Sequence, residues 1–161
     1  MKTITCKDNH GKKVVLPLSK FVFRPGVYAI IINNKNEVLL TESKSGKYWF
    51  PGGGIEIGEK IETALKREVK EETNIKNLKV KELVALFENF FYFKEGDCAW
   101  QSHMFFYKCT ITNKERIVRG FADKDEEIGI NKLVWINIKN IKKEKFIDIN
   151  EKVYKMLKKI L

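Results

Sequence analysis

The sequence predicts an α+β fold, an α/β/α sandwich in which a mixed β-sheet lies between two helices. Three observations predict it. Residues 59–74 carry Ile61, Ala64, Leu65 and Val69 at three- and four-residue spacing, the apolar stripe of a helix packed on a sheet. Near the C-terminus Val153, Met156, Leu157 and Ile160 repeat that spacing. The rest of the chain holds runs of β-branched and aromatic residues bounded by turn sequences. With 161 residues, 43% hydrophobic and 32% charged, the chain suits one domain over 1–161 with a sizeable core, and no repeat, low-complexity tract or linker divides it.

At the N-terminus, KTITCKD and KKVVLPL alternate around Asn9-His10-Gly11, which predicts a β-hairpin over about residues 2–18 with His10 as a plain turn residue. Arg24-Pro25-Gly26 then breaks the chain. Two further β-rich runs, VYAIII and EVLLTES, flank Asn33-Asn34-Lys35-Asn36 and predict a second hairpin. The loop KSGKYWFPGGG follows. Its Lys44, Lys47, Tyr48, Trp49 and Phe50 are candidates to contact phosphate or stack on a base, with core packing the competing use of Trp49 and Phe50. Gly52, Gly53 and Gly54 let the backbone turn tightly and offer main-chain groups to a metal or a phosphate near a helix N-terminus.

On the helix over 59–74, Glu68, Glu71 and Glu72 fall at i, i+3 and i+4 and project from one face. Like charges at that spacing cost an isolated helix roughly 0.2–0.5 kcal/mol per pair, so the face calls for a positive partner. A divalent cation supplies it. Mg²⁺ fits, because it takes a few carboxylates and leaves its remaining positions to water and substrate phosphates.

Beyond the helix, LKVKELVALFENFFYF and QSHMFFYKCTIT read as long antiparallel strands joined at Lys94-Glu95-Gly96-Asp97. In the second, Gln101, His103, Phe105 and Tyr107 share one face and Ser102, Met104, Phe106 and Lys108 the other. His103 and Phe105, with Arg24 upstream, are candidate substrate contacts. Residues 113–132 are polar and predict a loop whose Arg116 and Arg119 are candidate phosphate contacts, ahead of the strand LVWINI. The C-terminal helix is expected over about 148–161, with Asp148 three residues before Glu151 as a capping box.

Residues 53–75 resemble the Nudix box, G-x₅-E-x₇-R-E-U-x-E-E-x-G-U with U aliphatic: Gly53, Glu59, Arg67, Glu68, Val69, Glu71, Glu72 and Ile75 all match. The departure is Asn74 where the family has Gly, a conservative one because Asn also tolerates the left-handed conformation that ends helices. The resemblance implies the Nudix-type sandwich, with the box helix and the C-terminal helix on opposite faces of the sheet. It implies hydrolysis, dependent on Mg²⁺ or Mn²⁺, of the pyrophosphate bond of a nucleoside diphosphate linked to another moiety. Glu68, Glu71 and Glu72 with the Gly53 carbonyl would then hold the metal, Glu68 would be a candidate base, and Arg67 would pair with Glu59. Similar proteins often add a carboxylate from the loop facing the box, which Glu126 or Glu127 matches.

Within that chemistry a MutT-like pyrophosphohydrolase of nucleoside triphosphates, oxidised ones included, is the favoured expectation. Removal of pyrophosphate from RNA 5′ ends is an alternative motivated by the net charge of +10, although nearly all of that charge is Lys and only Arg24, Arg67, Arg116 and Arg119 are arginines. Dinucleoside polyphosphate hydrolysis is another, since some such members carry a tyrosine about where Tyr92 lies. From a different class comes a non-catalytic nucleotide-sensing module, which an intact set of box carboxylates disfavours.

No apolar run is long enough for a signal peptide or a membrane span, and Cys6, Cys98 and Cys109 are odd in number without a C-x-x-C pair. Reduced thiols and a cytoplasmic location are expected, with a nucleotide-type small-molecule partner and no membrane. The aromatic β segments serve a core or a homodimer interface equally well.

Overall fold

Alternating β-branched and polar residues put Thr3–Asp8 (β1) and Lys13–Pro17 (β2) into an antiparallel hairpin, Thr5 opposite Val15 and Cys6 opposite Val14. Asp8 closes it by accepting from the Lys12 N–H at 2.8 Å, while Gly11 takes φ 80°. The computed structural model describes residues 2–8, 11–43, 46–111, 130–142, 146 and 151–160. His10, Lys44, Arg116, Arg119, Glu126, Glu127 and Asp148 therefore lie outside the described residues.

The remaining strands are Phe21–Phe23 (β3), Gly26–Ile31 (β4), Glu37–Ser43 (β5), Tyr48–Trp49 (β6), Gly52–Gly54 (β7), Lys79–Phe93 (β8), Cys98–Thr110 (β9) and Ile130–Asn137 (β10). The helices are Ile61–Thr73 (α1) and Glu151–Lys159 (α2). One mixed sheet runs β2-β1-β8-β9-β4-β7, with β3 also on β9, and a smaller sheet runs β10-β5-β6. β8 and β9 pair antiparallel from Lys79↔Thr110 to Phe93↔Cys98, as their sequence predicts.

The second predicted hairpin needs correction. Its turn forms: Asn33 Oδ1 accepts from the N–H groups of Lys35 and Glu37 at 2.9 and 3.0 Å, and Asn36 takes φ 58°. The flanking strands do not build a ladder, however, and meet only in the bridge Ile32↔Val38. The reason is edge occupancy. β4 gives one edge to β9, in parallel from Gly26↔Met104 to Ile31↔Cys109, and the other to β7, from Gly26↔Gly54 to Tyr28↔Gly52. β5 therefore diverges into the smaller sheet, between β10 and β6.

Side-chain alternation along β4 and β5 sorts the core into two layers. Val27, Ala29, Ile31 and Leu39 pack with Ala64, Leu65 and Val69 of α1. Ile30, Val38 and Leu40 point the other way, into a cluster with Phe50, Phe106, Phe146 and Val153, Met156 and Leu157 of α2. This is the expected sandwich, with its middle layer split into two sheets.

The helix over the box begins at Ile61, two residues later than expected, because Glu59 is drawn into a turn in which its N–H bonds the Glu56 carbonyl and Gly58 takes φ 86°. It ends as expected. Asn74 is left-handed at φ 58°, ψ 17°, and its N–H bonds the Lys70 carbonyl at 2.8 Å.

Candidate active site

Arg67 organises the carboxylate face of α1. Its Nε and Nη2 fork onto Glu59 Oε1 and Oε2 at 3.0 and 2.9 Å, and Nη2 also donates to the Gly54 carbonyl at 3.1 Å. Nη1 donates to Glu68 Oε1 at 2.9 Å and to Glu71 Oε2 at 3.3 Å. All five guanidinium N–H groups are thereby engaged, which a lysine could not reproduce. The bond to Arg67 holds the Glu59 carboxyl below its ordinary range, and the bond to Glu59 raises Arg67 in turn.

The glycine turn is fitted to the same face. Gly52 donates its N–H to Glu72 Oε2 at 2.9 Å. Its φ of 141° and a backbone so close that a Cβ would stand 2.2 Å from the Val27 carbonyl oxygen both require glycine. At Gly53 a Cβ would stand 2.5 Å from Glu68 Oε2, so the Glu68 carboxylate occupies the space a side chain would fill. Strand β7 thus carries the turn onto the carboxylates, while β4 holds it from behind.

Three carboxylates, Glu59, Glu68 and Glu71, bond one guanidinium, and Glu72 sits against the Gly52 turn, so the site carries an excess of negative charge. Among the described residues no three His, Cys, Asp or Glu side chains form a ready ion site. Within the box, Arg67 Nη1 bonds both Glu68 and Glu71. The donor set itself suits a hard cation: the carboxylate oxygens of Glu68 and Glu72 are set directly against the glycine turn.

Beside the turn lies a cleft lined by Arg24, Tyr28, Gly53, Trp100, Ser102 and Met104. The Arg24 guanidinium lies over the Trp100 ring, 4.3 Å from its centroid. Burial pushes the Tyr28 phenol up to about 12, partly offset by Arg24 and by a hydrogen bond from the Trp49 indole N–H.

Of the candidate substrate contacts, Arg24 alone lines this cleft. Phe50 needs correction: it is 0% exposed, stacked on Phe146 and edge-on to Phe106, and belongs to the core. Trp49 packs edge-on against Tyr28, Phe50 and Phe106. Phe105 packs on the α1 side of the sheet. His103 lies on the face away from the cleft, 3.2 Å from Glu88 and against the Phe23 ring. Lys47 sits in the turn closed by the Ser43 N–H on its carbonyl. Tyr92 donates to Asp97 Oδ1 at 2.7 Å, at the end of β8.

Tyr28, Trp100, Ser102 and Met104 were not singled out by sequence. Alternation in β9 separates the face of Ser102 and Met104 from that of His103, but which face meets the box turn depends on the parallel pairing of β9 with β4.

A model of the NUDIX domain matches residues 22–157. The chain belongs to the Nudix family. Nudix proteins are hydrolases of phosphoanhydride bonds in nucleotide-type substrates. The chain is 29% identical over 157 residues to an RNA pyrophosphohydrolase of Pelagibacter ubique, covering 91% of this chain and 92% of that one. It is 33% identical over 124 residues to a Caenorhabditis elegans Nudix protein, of whose length it spans 30%. The crystal structure of a MutT protein from Methanosarcina mazei Go1 superposes with a TM-score of 0.59 at 17% identity, covering 85% of this chain and 91% of that one. That likeness is one of fold. Among the described residues no helix is long and apolar enough to cross a membrane.

Proposed function

We propose that this Nudix protein is a divalent-metal-dependent hydrolase that splits the phosphoanhydride of a nucleoside diphosphate linked to another group, a MutT-like nucleoside triphosphate pyrophosphohydrolase being the first reading. The observation that carries it is the Arg67 fork onto Glu59, which fixes the loop ahead of α1 so that the Gly52–Gly54 turn and Glu68, Glu71 and Glu72 face one another.

Glu68, Glu71, Glu72 and the Gly53 carbonyl would hold Mg²⁺ or Mn²⁺, which when bound neutralises phosphate charge and makes water more acidic. Glu68 accepts the proton of the attacking water at a carboxylate oxygen. Arg67 and Glu59 touch no reacting atom; they orient Glu68 and the turn. Arg24 meets the substrate's negative charge at the mouth of the cleft.

A second reading, removal of pyrophosphate from RNA 5′ ends, is favoured by the near full-length similarity to the Pelagibacter ubique protein and by the net charge of +10. It requires steep salt dependence and tighter binding of longer RNA. A single domain over 1–161 and a cytoplasmic location complete the reading, supported by the span of the family match and by three free cysteines. A homodimer is supported by apolar surface at Val22, Phe23, Leu83 and Leu86, and light scattering tests it.

The deciding experiment is release of phosphate or pyrophosphate, with Mg²⁺, from nucleoside triphosphates, oxidised nucleotides, nucleotide sugars, dinucleoside polyphosphates and triphosphorylated RNA. Turnover of one class, lost in Glu68→Gln and Glu72→Gln, is expected and names the substrate. Binding without turnover across the panel would make the protein a nucleotide-sensing module instead.

A further inference from the structure

Tyr28 stands at the junction of β4 with the box turn, and the chemistry described above gives it no task. Its backbone pairs with Gly52 on one side and Phe106 on the other. Its ring stacks on Phe106 at 5.2 Å and 26°, and Trp49 meets it edge-on at 5.2 Å and 80°. Packing alone would be served by phenylalanine. The hydroxyl is therefore the feature to explain, since Tyr28 is only partly buried and lines the cleft beside the box turn.

The chemistry of its ring neighbour gives the explanation. An indole nitrogen only donates, so the edge-on Trp49, 5.2 Å from the Tyr28 ring, can offer an N–H to the phenol oxygen but cannot take the phenol's own proton. Among the described residues no acceptor takes that proton. The hydroxyl also has a definite position: a Cβ placed on Gly26 would lie 3.2 Å from Tyr28 Oη and 3.3 Å from the Gly53 carbonyl oxygen. The phenol and the box turn thus border one small space in the cleft, with the Arg24 guanidinium beside Gly54. A ligand there meets an O–H donor and a guanidinium close to the box carboxylates. An oxyanion of a phosphate chain uses both donors.

We propose that Tyr28 contacts the substrate, its O–H donating to a phosphate oxygen held between the box turn and Arg24, and that Trp49 is the positioning residue that aims it. The proposal rests on the phosphate-chain substrate of the preceding subsection. It assigns the Tyr28–Trp49 pair to orientation of the phosphates, and leaves base recognition to other residues.

The test is calorimetric binding of the imidodiphosphate analogues of ATP and GTP in MgCl₂ to the wild type, Tyr28→Phe, Trp49→Phe and the double variant. Steady-state kinetics on the best substrate and thermal melts of each accompany it. Loss of a hydrogen bond to a charged oxygen predicts about tenfold weaker binding or more for Tyr28→Phe. Trp49→Phe should weaken binding less, and should add little in the double variant. Independent effects of the two substitutions, or analogue binding by Tyr28→Phe within twofold of wild type at an unchanged melting temperature, would overturn the proposal. So would a wild type that binds neither analogue. If Tyr28→Phe melts early, Trp49→Phe carries the test: kcat/KM must fall while guanosine, which lacks phosphate, binds as before. Should the wild type hydrolyse nothing yet lose analogue binding on Tyr28→Phe, the hydrolase reading fails while the phosphate contact stands.

Discussion

Arg67 holds Glu59 with two parallel bonds of 3.0 and 2.9 Å across eight residues of chain, from the middle of α1 back to the loop that precedes it. The pair is the clasp of the box: the same guanidinium reaches the Gly54 carbonyl, Glu68 and Glu71, so loop, turn and helix share one anchor.

Arg67→Lys keeps the charge but loses the fork, and Glu59→Gln loses the ion pair. Either change is expected to lower turnover about 10- to 100-fold through misplaced metal-binding groups, with the fold retained. Kinetics beside circular dichroism check it. The sign of the pH effect follows from the depressed Glu59 carboxyl. The pair's contribution to stability is fully present above its ordinary value of 4.5 and is lost as pH falls through the lower folded value. The difference in melting temperature between wild type and Glu59→Gln should accordingly be constant near neutrality and shrink below pH 4.5. A difference that grows in acid would contradict the assignment.

Neighbouring glycines should fail in different ways. Gly52→Ala drives a Cβ to 2.2 Å from a backbone oxygen at a φ of 141°, and a loss of more than about 3 kcal/mol is expected. Gly53→Ala presses only on the Glu68 carboxylate, the end of a flexible side chain. It should leave most of the stability in place and reduce activity about 10- to 100-fold. Urea unfolding curves alongside turnover separate the two outcomes.

At Asn74 the left-handed cap predicts an order. Asn74→Ala should cost about 1 kcal/mol, the penalty of a Cβ in that conformation without the Asn side chain, whereas Asn74→Gly should be neutral or stabilising. Equal stability of the Ala and Gly variants in chemical denaturation would show that this cap carries no conformational cost.

Adding MgCl₂ should raise the melting temperature of the wild type, because a cation that binds only the folded state stabilises it by about 2.7 kcal/mol at a hundredfold excess over its dissociation constant. Glu72→Gln should lose most of that rise while keeping the bond from the Gly52 N–H, which its amide oxygen still accepts. Excess chelator should abolish turnover in the wild type without unfolding it, since Arg67 continues to bond Glu68 and Glu71.

Much of the candidate site is legible in one dimension because it is nearly local. Glu68, Glu71 and Glu72 share a helix face by the 3.6-residue period, and Arg67 reaches back only eight residues to Glu59 in the loop before the helix. Asn74 reads as a helix stop from its own backbone preference. The turn at residues 33–36 is equally local, and it formed even though its flanking strands parted.

What the sequence determined by itself was therefore the chemistry-bearing face and the two helices and long strands that build the sandwich, all set by periodicity or by conformational preference within a few residues. The tertiary structure alone decided the rest. Whether β4 pairs with β5 or gives its edges to β9 and β7 is a competition between distant partners for the same hydrogen-bonding groups. That competition set Ser102 and Met104 in the cleft beside the box turn and His103 on the opposite face of the strand, buried Phe50, and brought Tyr28 and Trp100 from separate strands into one cleft with Arg24. A strand's two faces are written in its alternation, but which face becomes a floor for substrate is fixed only when the sheet is assembled.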